Sequence, residues 1–244
     1  MAEIMRLDRF LCECGVGTRS EVKNYIKKKR VSVNGSIAAD TGMKVDALKD
    51  TVMFDGALLS YEKFRYFMLN KPAGCVSATR DGLSSTVLDL LEGEVIKGLF
   101  PVGRLDKDTE GFLLITNDGQ LGHNLLSPKK HVDKTYLAVT DKTLTDEQME
   151  EFRTGLDIGD DEPTMPAEIS FFGETEDGRF VFEVVLREGR FHQVKRMFEH
   201  FGSTVTYLKR TAMGAVELDD GLEPGEYRRL TDMEISLLKG ESEI

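Results

Sequence analysis

Seven short apolar segments, rich in β-branched and aromatic residues, recur between residues 66 and 208, and they restrict the body of the chain more than any other feature does. They fall at 66–69, 75–78, 111–116, 135–139, 167–172, 180–186 and 204–208, spaced by Gly, Pro, Asn and Asp clusters that read as turns. Helical periodicity is expected at 85–91, 121–126, 146–153 and 191–201. Strands this numerous, with only four helices among them, predict an α+β body on a mostly antiparallel mixed sheet. The acidic stretch 155–166 reads as a surface loop.

A different pattern precedes this body. Leu7-Asp8-Arg9-Phe10-Leu11 is a short amphipathic stretch that ends before Gly15 and Gly17. Thr18 then has the spacing of an N-cap, with Glu21 three residues on to complete a capping box. The helix that follows, over 19–29, gives way to Val31-Ser32-Val33-Asn34-Gly35, a strand running into a hairpin turn. Val45, Val52 and Phe54 suggest further short strands, with Asp55-Gly56 as a second turn. The expected organisation is a small unit over 1–60, a linker at 61–64 and a larger unit over 65–244.

Charge separates the same two regions. The chain's formal net charge is −11, which alone disfavours a nucleic-acid partner. Residues 1–60, however, hold 10 Lys and Arg against 8 Asp and Glu, and the rest of the chain holds 22 against 35. A positive N-terminal unit thus precedes an acidic body. Arg19, Lys23, Lys27 and Arg30 follow an i, i+4, i+8, i+11 rhythm and are expected to share one helical face, with Val22 and Ile26 on another. Such a stripe is either a solvated face or an RNA grip.

Other classes have little support. No apolar run approaches the roughly 18 residues that a membrane helix needs, and MAEIMRLDRF lacks the form of a secretory signal. A cytoplasmic monomer is expected. Cys12, Cys14 and Cys75 form neither a pairing framework nor a CxxC pair, and reduced thiols are expected. The four histidines, His123, His131, His192 and His200, are scattered, so no metal site is expected.

The segment most informative about chemistry is 100–116, where an apolar run enters a Gly- and Asp-rich turn and a second apolar strand leaves it. This pattern is expected to expose Asp106 at the end of a strand. Asp is also common in plain turns because it bonds nearby backbone amides. Asp106 and Asp108 could alternatively be a metal-binding D-x-D pair, though no third ligand stands at matching spacing. Lys134-Thr135-Tyr136-Leu137 puts a tyrosine in a strand. In the helix after Gly189, Val194, Met197, Phe198 and Phe201 form the core stripe, and Lys195 lies beside it. Its stem can be buried while its ammonium reaches a pocket. Leu208 reads equally as pocket wall or core.

RLDRFL followed by TRSEVKNYIKKKRVSVNG resembles the S4 domain, whose second helix meets RNA backbone. With YFMLNKPAG, GRLDKDTEG, KTYL, RFHQVKRMF and PGEYRRLT, the chain over about 5–235 resembles the ribosomal small-subunit pseudouridine synthase A family. The resemblance also points to Met5 as the initiator. It implies an S4-like domain joined to a pseudouridine synthase domain that isomerises a uridine of ribosomal RNA, with no cofactor. The implied partner is 16S rRNA or an assembling small subunit, the implied target uridine 516. Asp106 is implied as the essential carboxylate, Tyr136 as the aromatic partner, Lys195 as the basic partner and Leu208 as an apolar pocket residue. Arg104, beside Asp106, is expected to hold displaced RNA backbone. A 23S rRNA synthase of the same superfamily, a non-catalytic RNA-binding assembly factor and a metal-dependent enzyme using Asp106 and Asp108 are the competing readings.

Overall fold

A computed structural model describes residues 2–241. The chain forms two compact units, one of Met1–Phe64 with Gly93–Lys97, the other of Arg65–Glu92 with Gly98–Ile244. Assignment of 93–97 to the first unit departs from the expected continuous stretch 65–244. Five residues inside an otherwise uninterrupted apolar-rich region give no composition signal for such an excursion.

In the first unit the order is β1 (Ile4–Arg6), α1 (Leu7–Glu13), α2 (Arg19–Lys27), β2 (Val31–Val33), β3 (Ser36–Ile37), β4 (Lys44–Asp46), β5 (Val52–Phe54) and β6 (Ala57–Leu58). Thr18 caps α2 as its spacing predicts. Its Oγ1 accepts from the Glu21 N–H at 3.4 Å, and the Glu21 carboxylate accepts from the Thr18 N–H at 2.8 Å. Val22 and Ile26, one turn apart, are buried with Leu7, Phe10, Leu11, Val31, Val33 and Val52. Strands β3, β2, β5 and β6 form one antiparallel sheet in that order, and β1 pairs separately with β4. Both hairpin turns have consecutive left-handed residues, Asn34 and Gly35 at φ 51° and 79°, Asp55 and Gly56 at 50° and 82°. That geometry twists in the sense of the flanking strands.

The second unit runs β7 (Tyr66–Lys71), β8 (Phe100–Pro101), β9 (Glu110–Thr116), α3 (Gly119–Leu126), β10 (Lys134–Thr140), α4 (Asp146–Thr154), β11 (Glu168–Glu174), β12 (Phe180–Leu186), α5 (Gln193–His200), β13 (Val205–Met213), β14 (Val216–Glu217), β15 (Tyr227–Arg229) and α6 (Asp232–Lys239). The main sheet has the order β11-β12-β10-β13-β9-β7-β15, with β14 beside β13 and β8 beside β9. Its pairs are antiparallel except β13 with β9, where Lys209 and Arg210 lie opposite Glu110 and Gly111. The central strands are buried on both faces. Phe67, Leu69, Leu113 and Ile115 join one core with Phe152 of α4 and Met197 and Phe198 of α5. Tyr66, Met68, Phe112 and Leu114 join another with Leu121 and Leu125 of α3 and Leu238 of α6. Helices therefore cover both sides of the sheet.

Two expected elements do not form. Residues 75–78 contribute a single parallel bridge, Val76 with Thr86, in place of a strand. Residues 85–91 turn without becoming helix, although Val87, Leu88 and Leu91 are buried at helix-like spacing. The chain closes instead into isolated i, i+3 turns, the Asp89 N–H on the Thr86 carbonyl and the Leu91 N–H on the Leu88 carbonyl, each at 3.2 Å, which do not propagate. Helix α6 carries a Thr231–Glu234 capping box that the sequence displayed and the periodicity reading passed over.

Glu234 also fastens α6 to β15. The Arg228 guanidinium donates to both its oxygens, at 2.7 and 2.9 Å. Against the cost of burial, these bonds lower its pKa from the usual 4.5 to about 2. A depressed carboxyl contributes stability that is present above its unfolded pKa and lost as pH falls through the folded one. Glu234→Gln is therefore expected to cost roughly 2 kcal/mol at pH 7 and almost nothing near pH 2, as urea unfolding at the two pH values would show.

Candidate active site

Asp106 stands in the loop between β8 and β9, not at the end of a strand. Backbone bonds supply the rigidity instead. Lys71, fully buried on β7, donates from Nζ to the carbonyls of Pro72 at 3.0 Å, Asp106 at 3.0 Å and Thr109 at 2.8 Å. Ser77 Oγ donates to the Leu105 carbonyl at 2.9 Å and accepts from its N–H at 3.0 Å. The Gly74 N–H donates to the Lys107 carbonyl at 2.7 Å. Burial pulls the Lys71 pKa below the ordinary lysine value, which is tolerable only because backbone oxygens surround the ammonium. Lys71→Met would strand those carbonyls without a donor. A loss of roughly 3 kcal/mol of stability is expected, read by urea unfolding and accompanied by a fall in any activity that needs the loop.

With its backbone fixed, the Asp106 side chain meets α5. Lys195 Nζ lies 3.3 Å from Asp106 Oδ2 and 2.6 Å from Asp108 Oδ1. The neighbouring Val194, Met197 and Phe198 are buried, so the helix is anchored and the lysine stem follows it. Burial opposes the Lys195 charge, but its bond to Asp108 and the charge of Asp106 outweigh that and raise its pKa. The same bond holds the Asp108 carboxyl below its ordinary range. An ammonium thus occupies the position between the two carboxylates. Among the described residues no group of three or more His, Cys, Asp or Glu is placed to hold a metal ion.

Helix α5 begins at Gln193, two residues later than expected. Gln193 folds back to accept from the Arg190 N–H at 2.9 Å and donates to Glu188 at 2.8 Å. His192 consequently takes a left-handed conformation, φ 50°, a strained one for a non-glycine residue. Its ring stacks on exposed Phe191 with centroids 3.8 Å apart, and its Nε2 lies 3.6 Å from Asp106 Oδ1. The acidic loop is tied to this segment, since Arg190 donates to the carbonyls of Glu162 and Pro163, each at 2.6 Å.

Beside Asp106 opens a cavity of about 620 Å³. Tyr136 on β10 and Leu208 on β13 form part of its wall, both nearly buried. Arg104, exposed, stands at it, as do His192, Lys134 and Arg210. Lys195 does not line the cavity; its contact there is with Asp106. Gly111 makes the arrangement possible. A Cβ there, at φ +97°, would come within 2.2 Å of the Arg210 carbonyl, so only glycine lets β9 run this close to β13.

Of the expected site residues, Asp106, Arg104, Tyr136 and Leu208 share one cavity and Lys195 touches Asp106. In the N-terminal unit Arg19, Lys23 and Lys27 are exposed on α2. Arg30 is a correction: α2 ends at Lys27 and Lys29 turns left-handed at φ 61°, so Arg30 leaves the helical face. Its guanidinium pairs with Asp55 and lies 4.6 Å from the ring centres of both Tyr25 and Phe54. Lys71, Lys134 and His192 belong to motifs in the sequence that assign them no task, and Arg210 stands outside those motifs.

Comparison with known proteins bears on this arrangement. The RNA pseudouridylate synthase family model matches residues 65–200, and the S4 domain model residues 5–52. A Bacillus subtilis (strain 168) protein described as an uncharacterized RNA pseudouridine synthase, YtzG, is 47% identical over 236 residues, covering 96% of this chain and 98% of the relative. The Escherichia coli (strain K12) ribosomal small subunit pseudouridine synthase A is 39% identical over 234 residues, covering 95% and 99%. A crystal structure of a pseudouridylate synthase, 38% identical, superposes with a TM-score of 0.66 over 96% of this chain and 99% of that one.

Proposed function

The chain belongs to the RNA pseudouridylate synthase family, and from that premise we propose that it isomerises one uridine of ribosomal RNA to pseudouridine, uridine 516 of 16S rRNA. The observation that carries this reading is a carboxylate, Asp106, fixed at a cavity by its backbone and paired at 3.3 Å with a lysine from outside it. Isomerisation breaks the bond from ribose C1′ to N1, turns the base and joins C1′ to C5. Atoms and electrons balance within the substrate, so the reaction calls for no cofactor.

Asp106 acts as an ionised carboxylate, either attacking C1′ or taking a proton from the sugar. Lys195 is a positioning residue whose ammonium, 3.3 Å away, fixes the direction of that carboxylate. Tyr136 offers a flat face to a flipped uracil and Leu208 an apolar wall. Arg104 is placed to hold the displaced strand. The branch assignment rests on the small-subunit relatives and on the HQVK form of the α5 motif, with free 16S rRNA or an assembling small subunit as partner. The protein is taken to act as a monomer in the cytoplasm.

Carbodiimide mapping of unmodified 16S and 23S rRNA after incubation with the protein tests the assignment. A new primer-extension stop at position 516 of 16S rRNA alone supports it; a stop confined to 23S rRNA moves the protein to the other branch. In the N-terminal unit Arg19, Lys23 and Lys27 contact phosphate, whereas Arg30 serves mainly to hold its own hairpin. Lys27→Ala is expected to reduce the slope of log affinity against log salt by roughly one. Arg30→Ala should instead lower the unit's stability, as filter binding and thermal unfolding together would show.

A further inference from the structure

Two buried cations stand at the cavity, and among the described residues neither is held in an ion pair. Lys134 and Arg210 are only 4% and 2% exposed, and both line it. The Lys134 ammonium donates to the Val132 carbonyl at 2.7 Å, and Arg210 Nε to the Phe112 carbonyl at 2.7 Å. Arg210 Nη2 is buried with no hydrogen-bond partner. Burial first, and then the neighbouring guanidinium, press the Lys134 pKa below its ordinary value, and the Asp133 carboxylate offsets them only in part. Two like charges buried side by side destabilise the empty fold, and such an arrangement is explained if the occupant brings negative charge.

The alternation of the strands directs them. Lys134 and Tyr136 are two apart on β10, Leu208 and Arg210 two apart on β13, and Tyr136 pairs with Arg210 in the register. All four therefore share the sheet face that meets the cavity. We propose that Lys134 and Arg210 form a cationic floor that holds the detached uracil as its anion while it turns. This rests on the uridine isomerisation proposed above. When the C1′–N1 bond breaks, its electron pair leaves with the base and spreads over N1, O2 and O4. Asp106 satisfies C1′ directly, or takes the sugar proton that compensates it. The pair returns to C1′ through C5, as Asp106 leaves C1′ or hands the sugar proton back; the C5 hydrogen then departs as a proton and N1 takes one up. Between those steps the ring carries a full negative charge against two donors already fixed in place, and such preorganised donors stabilise developing charge most effectively.

The test uses the intact protein with two free rings of similar shape, uracil, neutral at pH 7.5, and 5-nitrouracil, ionised there. Calorimetry on wild type should show 5-nitrouracil binding at least about tenfold tighter than uracil. Lys134→Met should bring that ratio near unity at a melting temperature close to wild type, because removal of a buried charge offsets the lost bond to the Val132 carbonyl. Arg210→Met should do the same, but it also gives up the bond to Phe112, so Lys134→Met decides if the arginine variant does not fold. Equal binding of the two rings, no binding of either, or a preference kept by Lys134→Met overturns the proposal. Tritium release from C5-labelled 16S rRNA separates the underlying reading: a wild type that prefers the anion yet releases nothing retains the floor and refutes the proposed reaction.

Discussion

Replacing Asp106 with Asn is expected to leave a folded protein that binds its RNA and isomerises no uridine. The bonds that shape the loop use the Asp106 main-chain carbonyl, reached by Lys71 at 3.0 Å and by the Thr109 N–H at 3.1 Å, not the carboxylate. An amide of the same size therefore disturbs neither loop nor cavity. It can neither attack C1′ as a nucleophile nor take a proton from the sugar, so both routes to pseudouridine close together. A fall of at least about 10³-fold in the single-turnover rate is expected, with RNA affinity within about twofold, since binding rests largely on phosphate contacts. The rate, affinity and melting temperature measured on one preparation check the three parts. Turnover near wild type would remove Asp106 from the chemistry.

The second large effect belongs to Lys195→Met. The ammonium is the cation that separates Asp106 from Asp108, at 3.3 and 2.6 Å. Without it two carboxylates face one another, and each disfavours ionisation of the other. Loss of roughly 10²-fold in kcat/KM at neutral pH is expected, and the acid limb of the pH profile should move upward relative to wild type. Folding should change little. Asp108 is 73% exposed and returns to water, while the half-hidden lysine, 16% exposed, no longer bears its desolvation cost. Lys195→Arg should restore most of the rate with the acid limb near its original position. That rescue separates a charge effect from a packing effect, because methionine fills the same space. Full turnover in Lys195→Met would show that the carboxylate needs no partner.

Where local chemistry decided the structure, it could be read from the residues. The Thr18–Glu21 capping box, the Asn34-Gly35 and Asp55-Gly56 turns and strand β12 all follow from short-range backbone and side-chain preferences. Residues 85–91 failed because apolar spacing does not distinguish a propagated helix from the isolated turns that form there. Arg30 failed for a related reason: a rhythm that continues past the end of a helix says nothing about where the chain turns. Asp106, Tyr136, Lys195 and Leu208 were named from motifs, but their spacing in sequence could not bring them together. That depended on the parallel pairing of β13 with β9 and on Gly111, which permits it. Lys134 and Arg210 were invisible as a pair because 76 positions separate them and only the register of β10 with β13 places them at one cavity. Lys71 looked like any lysine before a proline, and its task appears only once four backbone carbonyls are seen to converge on it.

The most direct measurement of the central claim is the stoichiometry of tritium release from unmodified 16S rRNA labelled at uridine C5. Joining C1′ to C5 displaces that hydrogen, so the assay counts the bond formed. One equivalent per RNA from wild type, none from Asp106→Asn and none from 23S rRNA is the result this account predicts. No release from naked 16S rRNA, from assembling small subunits or from 23S rRNA would contradict it and leave an RNA-binding protein without this chemistry.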